Sequence, residues 1–220
     1  MGEWRTASLF ACLLLVAGVG GAQNTAPEFT MALTGDSIIT RALSVYEEPA
    51  YLEMIEMIRG ADVAFTNLEV LLHDYEMAPA ARSGGTWMRA DPKMADELAW
   101  AGFDLVAMAN NHSGDYGVEG MLATIKHTLE AGIVCAVTVG SLTSAREAKF
   151  LETTKARVAL ISMSSTITPH SVAGRSRDDI PPRPGLSPLR FTTTHTVPLD
   201  TMEQLRGAET ALGLPVGEQS

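Results

Sequence analysis

Cysteine is almost absent from this 220-residue sequence: Cys12 sits inside an apolar N-terminal run, and Cys135 stands alone in the body of the chain. With that run set aside no internal disulfide can form, so the fold has to rest on its apolar core. Basic charge is scarce too, with 16 Lys and Arg against 26 Asp and Glu and a formal net charge of −10. That balance argues against nucleic acid as a partner and suits a protein that recruits divalent cations. Long hydrophobic runs are missing as well: the apolar run over residues 7–19 falls short of the roughly 20 residues a membrane-spanning helix needs. Two common catalytic signatures are also absent. Gly84-Gly85 opens no helix and is followed by no Lys-Ser pair, so it is no phosphate-binding loop. Residues 162–165 hold no Gly-x-Ser-x-Gly elbow, which argues against a serine hydrolase.

What is present at the N-terminus reads as an export leader: Arg5, the apolar run, then Gly20-Gly21-Ala22, small residues that a signal peptidase accepts. Cleavage after Ala22 is expected, with a retained N-terminal membrane anchor as the alternative. Removal would take away one acid, Glu3, and one base, Arg5, and leave the charge at −10. The expected location is therefore extracytoplasmic, either periplasmic or secreted. Residues 23–28 read as a short polar linker and residues 29–220 as one domain, whose 46% apolar content is enough for a core.

Within that domain the pattern alternates between strand and helix, which predicts an α/β fold with a mainly parallel sheet and right-handed crossovers. Residues 29–33 read as a first strand running into Thr34-Gly35-Asp36. Tyr51, Met54, Ile55 and Ile58 fall at helical spacing before Gly60, and residues 62–66 form a second strand ending at Asn67-Leu68-Glu69. Residues 73–90, with Pro79 and Ser83-Gly84-Gly85, read as a long surface loop. Asp91-Pro92 signals a helix start, with Met94, Leu98 and Ala101 on its inner side. Residues 103–109 are nearly all apolar, as expected of a strand covered on both faces. Met121, Leu122, Ile125 and Leu129 mark another helix before Gly132, and residues 133–137 and 157–163 read as further strands. The methionines at 54, 57, 94, 108 and 121 read as core filler. Residues 174–188 carry four prolines and are expected to be a loop or extended arm, with one more helix over 199–211.

Ligands of parallel β/α sheets bind beyond the carboxyl ends of the strands. Three such ends are rich in chemistry here: Gly35-Asp36, Asn67-Leu68-Glu69 and Asn110-Asn111-His112. Taken singly, the first two read as turn chemistry. The third places two amides and an imidazole directly after a buried strand. Oxygen and nitrogen donors of these types suit hard or borderline divalent ions, so together the three ends make a candidate metal cradle. A cation held there would supply hydroxide from bound water and stabilise charge on a phosphoryl group, while His112 could donate a proton to the leaving oxygen.

The order Thr-Gly-Asp-Ser, then Ala-Phe-Thr-Asn-Leu-Glu, then Gly-Phe-Asp-Leu-Val-Ala-Met-Ala-Asn-Asn-His-Ser-Gly-Asp-Tyr-Gly resembles the capsule-synthesis, poly-gamma-glutamate (CapA-type) family over roughly residues 29–170. The run over 102–117 is its sharpest part. That family is similar in fold to calcineurin-like metallophosphoesterases, so the resemblance implies the first half of an αββα sandwich. It also implies roles: Asp36 as the first metal-binding aspartate, Asn67 or Glu69 as the bridging position, and Asn111 with His112 as the Asn-His pair. Divalent ions are the implied cofactors, whether manganese, iron, zinc or magnesium. The implied partners are an anionic polymer or phosphoester substrate and a membrane-bound capsule synthesis machinery.

The sequence departs from the resemblance in its later histidines. His127, His170 and His195 stand in none of the contexts that the family uses to complete its site, and each reads as structural. The sheet is then expected to keep an unpaired apolar face, and the sequence to be a truncated piece of a longer reading frame. Three functions follow as expectations: a capsule-linked phosphoesterase-like protein, a non-enzymatic polyglutamate-binding scaffold, and a general secreted phosphoesterase.

Overall fold

A computed structural model describes residues 28–136 and 140–213. The export leader, most of the 23–28 linker and Val137 lie outside the described residues. None of the described helices is long and apolar enough to cross a membrane.

Four strands form the central sheet, all parallel, in the order β1 (Met31–Ser37), β2 (Val63–Leu68), β5 (Leu105–Ala107) and β6 (Val134–Ala136). This is the predicted α/β arrangement. Between β1 and β2 runs α1 (Pro49–Arg59), opened by Pro49, whose fixed φ suits a first helical turn. Its inner side is Ile55 and Ile58. Met54 and Met57 are exposed rather than core, because Met54 lines a cleft of about 260 Å³ between α1 and β1, and Met57 faces solvent.

The segment after β2 pairs Leu71–Leu72 (β3) with Arg89–Ala90 (β4) in a small parallel ladder, so the long loop closes into a strand at its end. Asp91 then opens the next helix. Its carboxylate accepts from Lys93 N at 2.9 Å and its carbonyl from Met94 N at 3.0 Å. The regular helix α2 (Met94–Ala101) therefore begins after a preparatory turn and stops at Gly102, whose φ of 96° favours glycine. Asp104 locks β5 beside β2, since its carboxylate accepts from Ala64 N at 2.8 Å.

Helix α3 (Gly117–Glu130) buries Met121, Thr124, Ile125 and Thr128, while Leu129 is exposed. The two threonines are tolerated inside because each hydroxyl donates to the carbonyl four residues back, at 2.8 Å. Ile55, Ile58, Leu98, Met121 and Ile125 from the helices meet Ala64, Leu68, Val106, Met108 and Cys135 from one sheet face, forming the main core. Burial pushes the Cys135 thiol up to about 12.

The strand expected over 157–163 does not join the parallel sheet. After the short helix α4 (Leu142–Ala145), β7 (Lys149–Glu152) and β8 (Arg157–Leu160) pair antiparallel as a hairpin. Thr153 and Ala156 close the turn, with Thr153 N donating to Ala156 O at 2.9 Å. Parallel pairing needs a crossover of about a dozen residues or more, which this turn cannot supply. The proline-rich stretch is a loop, as predicted, but an anchored one: Leu186 is fully buried, and the Arg183 guanidinium donates to Val172 O. Helix α5 (Leu199–Ala211) buries no residue.

Candidate functional site

The three strand ends meet along one edge of the sheet. Strand β1 carries an irregularity between Leu33 and Asp36, after which Asp36 stands opposite Asn67. Thr66 stabilises that irregular stretch: its hydroxyl lies 2.9 Å from Gly35 O and 2.6 Å from Ser37 Oγ. Contrary to the expectation of a loop at 34–36, the strand continues through these residues.

Asn67 connects the two carboxylates. Its Nδ2 donates to Asp36 Oδ1 at 2.8 Å and to Glu69 Oε2 at 3.2 Å. Its Oδ1 accepts from Asn110 Nδ2 at 3.2 Å, and that amide also donates to Leu68 O at 2.9 Å. The Asn67 amide is therefore engaged at both ends, whereas Glu69 turns its other oxygen toward His112, with Oε1 3.9 Å from Nε2. Burial raises the Glu69 carboxyl above the ordinary carboxylate value, and the nearby Asp36 charge adds to the shift.

His112 is buried against this group. Its backbone N donates to Asn110 Oδ1 at 3.0 Å, and its Nδ1 lies 2.8 Å from Asp115 Oδ2. Ser113 tightens the turn, its hydroxyl taking the Asn110 N–H at 2.9 Å and bonding the Met108 carbonyl. Asn111 takes a different direction: its Nδ2 donates to Gly84 O at 3.0 Å, tying the turn to the loop between β3 and β4. The structure thus joins Asp36, Asn67, Glu69 and His112 in one string and places Asn111 beside that string, facing the loop.

Three residues outside the expected ligand and catalytic set shape the site. Asn110 bridges β2 and β5 through its side chain. Asp115, with no exposed side-chain surface, accepts from Gly84 N at 3.1 Å and Met88 N at 2.8 Å as well as facing His112. Gly84 packs so closely that a Cβ there would lie 2.3 Å from Asn111 O. The local signals are slight, a Gly-Gly pair in a long polar loop and an aspartate three residues after a histidine, and neither points to the other.

The later histidines take no part in the string. His170 Nε2 lies 3.0 Å from Gly114 O, His127 sits 3.5 Å from Glu130 on α3, and His195 is exposed. Among the described residues, no three His, Cys, Asp or Glu side chains converge into a set able to enclose a metal ion. The oxygen donors that could face a cation are Asp36 and Glu69, the latter with its carboxyl raised first by burial and then by the Asp36 charge, with the His112 imidazole behind them. These groups fit one side of a cation shell and leave the remainder to be filled.

Residues 30–206 match the family described as bacterial capsule synthesis protein PGA_cap. Two relatives from Sinorhizobium fredii, the uncharacterized proteins y4uA and y4sH, are 39% and 38% identical over 197 residues. The match covers 88% of this chain and 43% of each relative, so the chain spans less than half the length of the curated relatives it matches. With more than three quarters of its residues inside the match, this chain belongs to the bacterial capsule synthesis protein (PGA_cap) family.

Proposed function

We propose that this chain carries the strand-tip half of a metallophosphoesterase-like site, acting on a phosphoester or an anionic polymer during poly-gamma-glutamate capsule synthesis or export, outside the cytoplasm. The observation that carries the reading is the string Asp36–Asn67–Glu69–His112, which gathers two carboxylates and an imidazole at adjacent parallel strand ends. Glu69 supports it further, because a carboxyl raised by burial and by a neighbouring carboxylate is the arrangement a divalent cation relieves. Overall charge points the same way. A chain at −10 repels a polyanion, and a bound cation is the direct way to bring the two together.

In this reading Asp36 and Glu69 hold the ion, which is manganese, iron, zinc or magnesium. Bound, the ion would supply a water of lowered pKa and neutralise phosphoryl charge. The Asn67 amide keeps the two carboxylates side by side, and Asn110 fixes that amide. His112 presents Nε2 toward the carboxylates and can pass a proton to a leaving oxygen. The buried turn under the imidazole keeps water from its Nδ1 side.

The test is turnover of a generic phosphoester with manganese added, comparing the chain with Asp36→Ala. Turnover lost in the variant supports the reading. Polyglutamate binding without turnover would replace it with a scaffold role, and turnover unchanged in the variant would reject it.

A further inference from the structure

We propose that Asp115 is the positioning residue of this site: one buried carboxylate that sets the tautomer of His112 and, with its other contacts, pins the Gly84–Met88 loop beside the ring. The proposal rests on the reading of His112 as the proton-transferring group. It adds a residue and a loop to which that reading gave no part.

The geometry is specific. Asp115 has no exposed side-chain surface, and among the described residues no Lys or Arg side chain pairs with it. Three N–H groups surround it instead. Oδ1 accepts from Gly84 N at 3.1 Å, and Oδ2 accepts from Met88 N at 2.8 Å and faces His112 Nδ1 at 2.8 Å. A carboxylate is acceptor-only, so the ring nitrogen facing it is the one that carries hydrogen. With hydrogen on Nδ1, the neutral ring keeps its lone pair on Nε2, the nitrogen that faces Glu69. The same carboxylate therefore decides which nitrogen of His112 can take a proton on the site side.

The loop is tied on by two further contacts. Asp115 O accepts from Ala80 N at 2.8 Å, and Gly84 O accepts from Asn111 Nδ2 at 3.0 Å. Gly84 lies flat on the Asn111 backbone with no room for a Cβ, and a Cβ at Gly85 would lie 3.9 Å from His112 Cε1. Removing the acceptor would leave three donors unmatched, one buried and two partly buried, so loop and ring should loosen together.

The experiment is nitrogen NMR of the neutral His112 ring in the full chain, recorded without metal or substrate, with the signal assigned by its disappearance in His112→Gln. Tryptic cleavage after the exposed Arg82, located by mass spectrometry, reports the loop. The chain itself should show His112 with hydrogen on Nδ1. Asp115→Asn is nearly isosteric and leaves an amide N–H2 facing at least one donor. It should give a mixed tautomer and cleavage after Arg82 at least tenfold faster, with circular dichroism confirming the fold. Gly84→Ala keeps the carboxylate and should speed cleavage while leaving the tautomer on Nδ1. Hydrogen on Nε2 in the unaltered chain would overturn the proposal. So would a folded Asp115→Asn chain with unchanged tautomer and unchanged cleavage. Neither readout involves turnover, so this inference can fail while the phosphoesterase reading stands, and the reverse.

Discussion

The tips of β5 and β1 meet in the same site, yet they are built in opposite ways. The turn after β5 is interior: Asn110, His112, Ser113 and Asp115 are all buried, and each side chain has at least one hydrogen-bond partner. Strand β1 is an edge. Leu33 is 69% exposed and Met31 40%, on the face opposite the helices. The difference follows from sheet order, since β5 has a strand on each side and β1 has one. A site made this way has one rigid wall, carrying His112, and one open wall, carrying Asp36. On that same face Val63 and Leu105 are buried, so the open apolar surface is confined to the edge strand.

The largest effect should come from β5. Leu105 is 1% exposed, and Leu105→Ala should lower unfolding stability by about 2–5 kcal/mol in urea titration. A loss under about 1 kcal/mol would mean that β5 is no more rigid than the edge. Next is Gly84→Ala, which forces the loop away from Asn111 and should destabilise by about 1–3 kcal/mol.

A third test is acid sensitivity. His73, at the end of β3, has a fully buried ring whose pKa is pushed below the ordinary 6.5 mainly by burial. As the pH falls through 6.5, the unfolded chain gains a proton that the folded chain resists, so stability declines toward the depressed folded value. Thermal melts from neutral to acidic pH should show this decline, and His73→Phe should flatten it. Glu69→Gln should act in the other direction. The raised carboxyl makes its charge unfavourable in the fold, so at neutral pH without divalent ions the variant should melt at a higher temperature. The smallest effect belongs to β1: Leu33→Ser should stay within about 0.5 kcal/mol in the same urea titration. A larger loss would show that the exposed face is covered after all.

Much of this contrast was legible in the sequence. The nearly all-apolar run over 103–109 marked an interior strand, and Asn110-Asn111-His112 directly after it could continue neither strand nor helix. The helix stops at Gly60, Gly102 and Gly132 were equally clear, two of them at positive φ. What local pattern could not reveal was partnership at a distance. Arg157–Leu160 is β-prone by itself, and only the tight Thr153–Ala156 turn makes it a hairpin strand rather than a fifth parallel one. The bond between Asp115 and Gly84 spans 31 residues, and nothing in either neighbourhood announces the other. Met54 fell at core spacing, but its place over the α1–β1 cleft depends on where the edge strand lies. Asn67 and Glu69 were indistinguishable as ligands in sequence. Their surroundings separate them, one amide bonded at both ends and one carboxylate with an oxygen turned toward His112.

The central claim is that Asp36 and Glu69 hold a cation against the His112 wall. The most direct measurement is paramagnetic broadening of backbone amide signals as Mn²⁺ is titrated into the labelled chain. The account predicts that Asp36, Glu69 and His112 broaden first and together, and that Asp36→Ala removes this preference. Broadening spread evenly over the acidic surface, with no lead at these three residues, would contradict it.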